Sequence, residues 1–267
     1  MDVVKRVRAR PGVVLALTLA LAGMLSGGAC MAQARLVEVV AASKPAVLAV
    51  GIYNATASPR FTMRGTGFVV GDGLSVITNA HVVAEQPGDT AFGTQLRVRI
   101  VAGLVGQPER VATLVRTDAA HDLALLRIEG DPLPALALGA PETVPEGTAI
   151  AFIGFPIGAT LGMSLVTHRG IVASVPQIVM PLPSARQLTA RAAAQIRDGA
   201  FAIYQLDATA YPGNSGGPLL DVESGRVIGV LNSVLTKGVR ETALSNPSGI
   251  SYAIPVRHVL DLLNTPR

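Results

Sequence analysis

The stretch TGFVVGDGLSVITNAHVV, from Thr66 to Val83, decides how the rest of the chain is read. Two apolar runs, Gly65–Val70 and Leu74–Thr78, flank Gly71-Asp72-Gly73. Glycine takes positive φ without steric cost and aspartate tolerates it, so this pattern predicts two strands joined by a tight hairpin. His81 follows at once, just past the second apolar run. A β-barrel would present a reactive side chain at such a position, on the rim where a buried strand gives way to a turn.

Working outward, the same grammar of short strands and turn residues recurs. Ala46–Tyr53, Gln95–Ile100, Arg110–Val115 and Leu123–Ile128 complete a first set of six strands. Gln95–Ile100 alternates apolar and polar residues, as a half-buried strand should. A Pro/Gly-rich strap over Glu129–Gly147 leads to a second set: Thr148–Gly154, Gly170–Val175, Phe201–Leu206, Pro218–Asp221, Arg226–Val234 and Gly249–Ile254. Two groups of six short strands point to an all-β chain of two β-barrels or sandwiches rather than βαβ units, and two six-stranded antiparallel barrels are the expected form. The expected domains are 35–135 and 136–267. Helices are expected at the ends, over Leu36–Ser43 and Pro255–Leu263, the latter with Pro at its first position. The Ala-rich segment 183–199 reads as a helical insertion in the second domain, either a solvated surface helix or a substrate-shaping element.

Residues 1–34 have the pattern of a secretory signal. Lys5, Arg6, Arg8 and Arg10 precede the apolar run Val13–Leu25, and Ala32-Gln33-Ala34 supplies small residues for cleavage. The run is short for a membrane span, which needs about 20 residues. The expectation is export to the periplasm or outside the cell, with membrane attachment only if this segment is kept as an anchor. Cleavage would remove three of the four net positive charges and leave 18 basic against 17 acidic residues. The basic balance therefore belongs to the targeting segment and does not indicate a nucleic-acid partner. Cys30 is the single cysteine, so the mature chain would hold no disulfide and no thiolate site.

A third stretch, YPGNSGGPLL at Tyr211–Leu220, crowds three glycines and a proline around Ser215. Serine attacks a carbonyl only with a base in hydrogen-bond reach, and the base needs a carboxylate to orient it. His81 is the candidate base. Asp122 heads the apolar run Leu123–Ile128, where a carboxylate must be hydrogen-bonded to be tolerated. Asp118, in the polar turn RTDAAHD, is the competing carboxylate, though an Asx turn accounts for it. His121 adjoins Asp122, but neighbours on an extended chain point to opposite faces and do not form one dyad. His168, read as lying in a polar loop, and His258, on the terminal helix, have no such context. No histidine pair has metal-ligand spacing, and nucleotide-binding fingerprints are absent, so no metal or other cofactor is expected.

The blocks TGFVVGDGLSVITNAHVV, HDLALLRI and YPGNSGGPLLD resemble the signatures of chymotrypsin-fold, trypsin-like serine proteases. With GISYAIP at Gly249–Pro255 they are most similar to the HtrA/Deg branch. The order His, Asp, Ser is that of the chymotrypsin type and covers Leu36 to Leu263. The resemblance implies Ser215 as nucleophile, His81 as general base and then acid, and Asp122 as orienting carboxylate. The N–H groups of Gly213 and Ser215 would form the oxyanion hole, with the site between the barrels. Asn214 stands where digestive members carry aspartate, so no zymogen switch is expected. HtrA/Deg proteins usually append PDZ domains, and none follows the last strand of this sequence. The loop Asn54–Arg64 is short, so the large oligomerising loop of some members is missing, and the resemblance leaves a homotrimer formed through the N-terminal segment open.

In proteases of this type the floor of the specificity pocket lies five and six residues before the nucleophile, here Ala210 and Thr209. Its wall would come from Leu231, Asn232 and Ser233. An uncharged floor favours small or medium aliphatic side chains, since a basic one would be desolvated unpaired. Asp207 is the alternative, if an unusual loop turned it into the pocket. The expected function is exported endoproteolysis of protein or peptide substrates, in protein quality control. The alternative is a latent or inactive protease-like binding or chaperone module.

Overall fold

A computed structural model describes residues 34–84, 94–101, 109–157, 163–178, 200–232 and 249–265. The expected leader up to residue 33, the 183–199 insertion and Ser233 lie outside them. A helix over 34–43 (α1) and a 3-10 turn at Lys44–Ala46 lead into the first barrel. Its strands are β1 (Val47–Asn54), β2 (Phe61–Val70), β3 (Ser75–Asn79), β4 (Thr94–Ile100), β5 (Glu109–Asp118) and β6 (Leu123–Ile128). A single helical turn, α2 (Ala80–Val83), follows β3. The second barrel is built from β7 (Ala149–Gly154), β8 (Val166–Ser174), β11 (Tyr204–Asp207), β12 (Pro218–Asp221), β13 (Val227–Asn232) and β14 (Ile250–Pro255). The small pair β9 (Gln177–Ile178) and β10 (Phe201–Ala202) stands beside it, and α3 (Val256–Asn264) ends the described chain.

Both barrels are closed and antiparallel. Around the first the order is β1-β2-β3-β6-β5-β4, and around the second it is β7-β8-β11-β14-β13-β12. With the second barrel's strands counted from its own start, the two orders are the same, so one Greek-key plan is used twice. Closure also leaves neither barrel an unpaired edge strand.

The predicted hairpin is present and its chemistry is local. Gly71 and Gly73 adopt φ of 60° and 80°, and the Asp72 carboxylate accepts the Leu74 and Ser75 N–H groups at 3.0 and 3.1 Å. Arg127 of β6 pairs with the same carboxylate and holds it well below its usual range, at about 2.

Leu48, Val50, Phe68, Val76, Ile77 and Leu126 are fully buried in the first barrel. Ile150, Phe152, Tyr204, Leu206 and Leu219 fill the second. The first apolar cluster continues through Ile153, Leu220, Val230 and Ile254, which belong to strands of the second barrel, and through Phe155 just after β7. The strap is stitched to both barrels, with Leu136 bridged to Val70 and Leu138 to Val227.

Three local expectations are corrected. Phe201–Leu206 is not one strand: β10 pairs with β9, and Ile203 then breaks the run before β11 joins the barrel. His168 lies on β8 opposite Phe152, with the two rings stacked 4.8 Å apart, and not in a polar loop. Pro255 closes β14 and caps α3 from outside, one residue before the first helical position. Among the described residues no helix is long and apolar enough to cross a membrane.

α3 follows the second barrel in sequence yet packs on β5 and β6 of the first as well as on β13. It buries Val256, His258, Val259 and Leu262, an amphipathic face. The Arg116 guanidinium, from β5, donates to the Leu262 and Thr265 carbonyls at 2.9 and 2.7 Å, satisfying carbonyls that the helix end leaves open. Arg116→Ala should therefore cost about 2 kcal/mol, as loss of charged hydrogen bonds does. For a chain of this size that lowers Tm by ~4–8 °C in a thermal melt, whereas an unchanged Tm would mean α3 is held without the clamp.

Candidate active site

β3 and β6 are neighbours, with Asn79 opposite Leu123. The chain just after β3 and the chain just before β6 therefore meet at one rim of the first barrel. His81 is the second residue of α2 and Asp122 the last residue before β6. Asp122 has φ 52°, a left-handed conformation uncommon for a residue with a Cβ. Its surroundings over-determine that conformation. The Asp122 carbonyl accepts the Ala80 N–H and the Asn79 side-chain amide, both at 3.0 Å. Oδ1 accepts the His81 backbone N–H at 2.9 Å, and Oδ2 lies 2.6 Å from His81 Nδ1. Oδ2 also accepts the Asn232 side-chain amide at 2.8 Å. An ionised carboxylate only accepts, so Nδ1 carries the proton and Nε2 of a neutral His81 presents its lone pair away from Asp122.

Ser215 lies between β11 and β12, after the third strand of the second barrel, as His81 lies after the third strand of the first. The Ser215 loop is set directly on the first barrel through Thr66 of β2. The Thr66 N–H donates to the Ser215 carbonyl at 2.8 Å and its hydroxyl to the Gly213 carbonyl at 2.6 Å. Gly213 has φ 101°, and a Cβ there would overlap the Phe155 carbonyl. Gly216, at φ 85°, would likewise drive a Cβ into the Thr66 carbonyl and Thr78 hydroxyl. The Pro212 carbonyl accepts the Ile157 N–H at 2.7 Å. In a trans peptide C=O and N–H are antiparallel, so this bond turns the Gly213 N–H the opposite way. Ser215 is buried, and Asn214 below it is fully buried.

Two of the residues assigned to the pocket wall have other duties. Leu231 is fully buried in the core of the second barrel, so only its backbone can border a pocket. Asn232 is 1% exposed and its amide is committed to Asp122, which ties the second barrel to the first barrel's carboxylate. The resemblance assigns Asn232 to the wall by its position, and position alone does not show what its side chain meets. Ala210 packs against that same core, and its N–H donates to Ser251 Oγ at 2.7 Å. Thr209 is half-buried beside it. Asp207 ends β11 exposed, directly opposite the exposed Ile171 and Ile250.

The competing residues are also placed. Asp118 Oδ1 accepts the Ala120 and His121 N–H groups at 3.0 and 3.2 Å, the expected Asx turn. Its Oδ2 goes further and meets His121 Nδ1 at 2.6 Å. Burial works to raise the Asp118 pKa, but the His121 ring and the two N–H groups outweigh it and hold it low. Burial pushes the His168 imidazole down. Thr66 and Asn79 were not singled out from the sequence, although both stand in the stretch around His81. Only their contacts reveal them.

Residues 65–230 match the family described as trypsin-like peptidase domain. The chain is 30% identical over 202 residues to a probable periplasmic serine endoprotease, DegP-like, of Hahella chejuensis, covering 75% of this chain and 34% of that protein. It is 31% identical to the mitochondrial serine protease HTRA2 of Drosophila willistoni, covering 75% and 38%. The chain thus spans about a third of the length of the curated relatives it matches. Among solved structures, an HtrA-type protease with a tripeptide superposes with TM-score 0.60 at 25% identity, covering 85% of this chain and 62% of that one. A serine endoprotease from Yersinia pestis superposes with TM-score 0.57 at 25% identity, covering 85% and 65%. On its matched residues, its twin closed barrels and these HtrA/DegP-type relatives, the chain belongs to the trypsin-like peptidase family.

Proposed function

We propose that the protein is an exported serine endopeptidase that cleaves peptide bonds through Ser215, His81 and Asp122. The observation that carries this reading is the His81–Asp122 pair at 2.6 Å, held by Asn232 from the second barrel at the seam where the Ser215 loop docks. Ser215 Oγ attacks the substrate carbonyl carbon while His81 Nε2 takes its proton. Asp122 keeps the ring in the Nδ1–H tautomer and stabilises the imidazolium that forms. The carbonyl oxygen becomes an oxyanion, which the Gly213 and Ser215 N–H groups receive. His81 then gives its proton to the departing amine, leaving an acyl-enzyme, and water repeats the sequence to release the acid. Preorganised donors matter because removing one such group typically costs ~10²–10³ in kcat. The anchored Pro212 carbonyl supports this role for Gly213, since it fixes the peptide plane that aims the N–H.

The Hahella chejuensis relative's name supports a periplasmic setting and protein substrates, and a role in protein quality control is what the HtrA/Deg resemblance implies. Thr209 and Ala210 leave the pocket floor uncharged, which supports cleavage after small or medium aliphatic residues. Two measurements test the reading. Ser215→Ala should lower kcat on the order of 10⁶-fold and abolish covalent labelling of purified protein by a fluorophosphonate. Labelling that survives the substitution would place the nucleophile elsewhere, and wild-type protein that never labels would instead favour a latent or binding module. In a peptide library, cleavage should follow Val, Ala or Leu before Arg or Lys. The reverse order would return Asp207 to the pocket.

A further inference from the structure

Three groups that the chemistry above leaves unused are gathered at one place. His121, in the turn that delivers Asp122, is held by Asp118 at 2.6 Å. The His258 ring, carried by α3, lies on the His121 ring with centroids 3.7 Å apart and planes 20° from parallel. Phe201 of β10 closes the other side, edge-on to His121 at 4.6 Å and to His258 at 5.3 Å. His258 is 4% exposed, and its Nε2 is buried without a hydrogen-bond partner. An imidazole in that setting is accommodated as a flat neutral ring. Protonating it would put a charge in a buried site where its Nε2–H has no acceptor, beside a second imidazole.

The position of this stack gives it a consequence. Asp118, His121 and Asp122 belong to a single turn between β5 and β6, and Asp122 is the strained member of it. α3 comes from the chain beyond the second barrel. The stack therefore sets the last element of the described chain against the same turn that holds His81 through Asp122.

We propose that His121 and His258 are positioning residues forming an acid-labile clasp, which keeps the Asp122 turn in its productive shape while the His258 ring stays neutral and releases it when His258 is protonated. This rests on the reading of Asp122 as the carboxylate that orients His81. The groups facing His258 are His121 and Asp118 from the β5–β6 turn, Arg257 on its own helix, and the uncharged Phe201. Burial pushes the His258 pKa down to about 4 from an ordinary 6.5, with His121 and Arg257 acting in the same direction and Asp118 opposing them. A depressed folded-state value means the opened state binds the proton more readily. The clasp is accordingly at full strength above about 6.5 and is lost as pH falls toward 4. Across that interval the opening equilibrium rises about tenfold per pH unit.

His258→Met tests this, because it keeps a buried apolar side chain of similar volume and cannot take a proton. At pH 8 the variant should hold kcat/KM within a few-fold of wild type. In acid, protonation of the base His81 alone gives log kcat/KM a limiting slope of about one per pH unit. Wild type should steepen toward about two below pH 5, and the variant should remain at one. Superimposable profiles would overturn the proposal, and so would a loss in the variant of the same size at pH 8 and pH 5, which marks mere packing. A readout independent of catalysis separates this from the peptidase reading. The Tm of wild type should fall below that of His258→Met progressively under pH 6.5, whether or not the protein cleaves peptides. A pH-dependent Tm gap with parallel activity profiles would leave a histidine stack without influence on Asp122, and that too would refute the positioning role. If His258→Met does not fold, His258→Gln serves in its place, being neutral and polar.

Discussion

Everything at the site depends on Thr66. It is fully buried on β2 of the first barrel, and its three polar groups make four hydrogen bonds. Its N–H meets the Ser215 carbonyl and its hydroxyl donates to the Gly213 carbonyl. The same hydroxyl accepts the Phe155 N–H at 3.3 Å, from the end of β7, and the Thr66 carbonyl accepts the Thr78 hydroxyl at 2.7 Å. One residue thus joins the loop carrying Ser215, the second barrel's first strand and the strand that leads to His81. Buried polar groups are costly unless paired, so the arrangement has little freedom to slip. Gly216 of the Ser215 loop follows from it, because a side chain there would collide with the Thr66 carbonyl.

Asn232 does the corresponding work from the other side. Its amide reaches from β13 of the second barrel to the carboxylate of the first, where the His81 ring is already bound. With Thr66 reaching one way and Asn232 the other, the seam between the barrels is fixed by polar contacts within a shared apolar core. Apolar burial supplies the association, and these directional bonds set its register.

Much of this was legible in the sequence, and the reasons are physical. Strands with turn residues between them announce themselves by period and by glycine, so the barrels and the Gly71–Gly73 hairpin could be read locally. The polar head of an apolar strand flagged Asp122, since an unpartnered carboxylate there would be untenable. What could not be read was pairing across the seam. Asn232 and Leu231 look like pocket wall in a list of positions, but burial and a partner 110 residues away decide their roles. His121, His168 and His258 looked unremarkable for the same reason: a ring stack leaves no trace in spacing when its members lie on different elements. The Phe201–Leu206 run misled in the opposite sense, because uniform β propensity hides the point at which a chain leaves one sheet for another.

The division of the site between two closed barrels also orders events during synthesis. His81 and Asp122 are 41 residues apart and can meet once the first barrel has closed. The Asp122–Asn232 bond spans 110 residues and must wait for the penultimate strand of the second. Contacts of such long range form late, after the loop entropy between them has been overcome. A growing chain therefore carries the paired His81 and Asp122 through the whole stretch from Ile128 to Ser215 before the proposed nucleophile exists. On the proposed reading, reactivity arrives only once the second barrel has formed, so a half-folded chain is harmless to its neighbours.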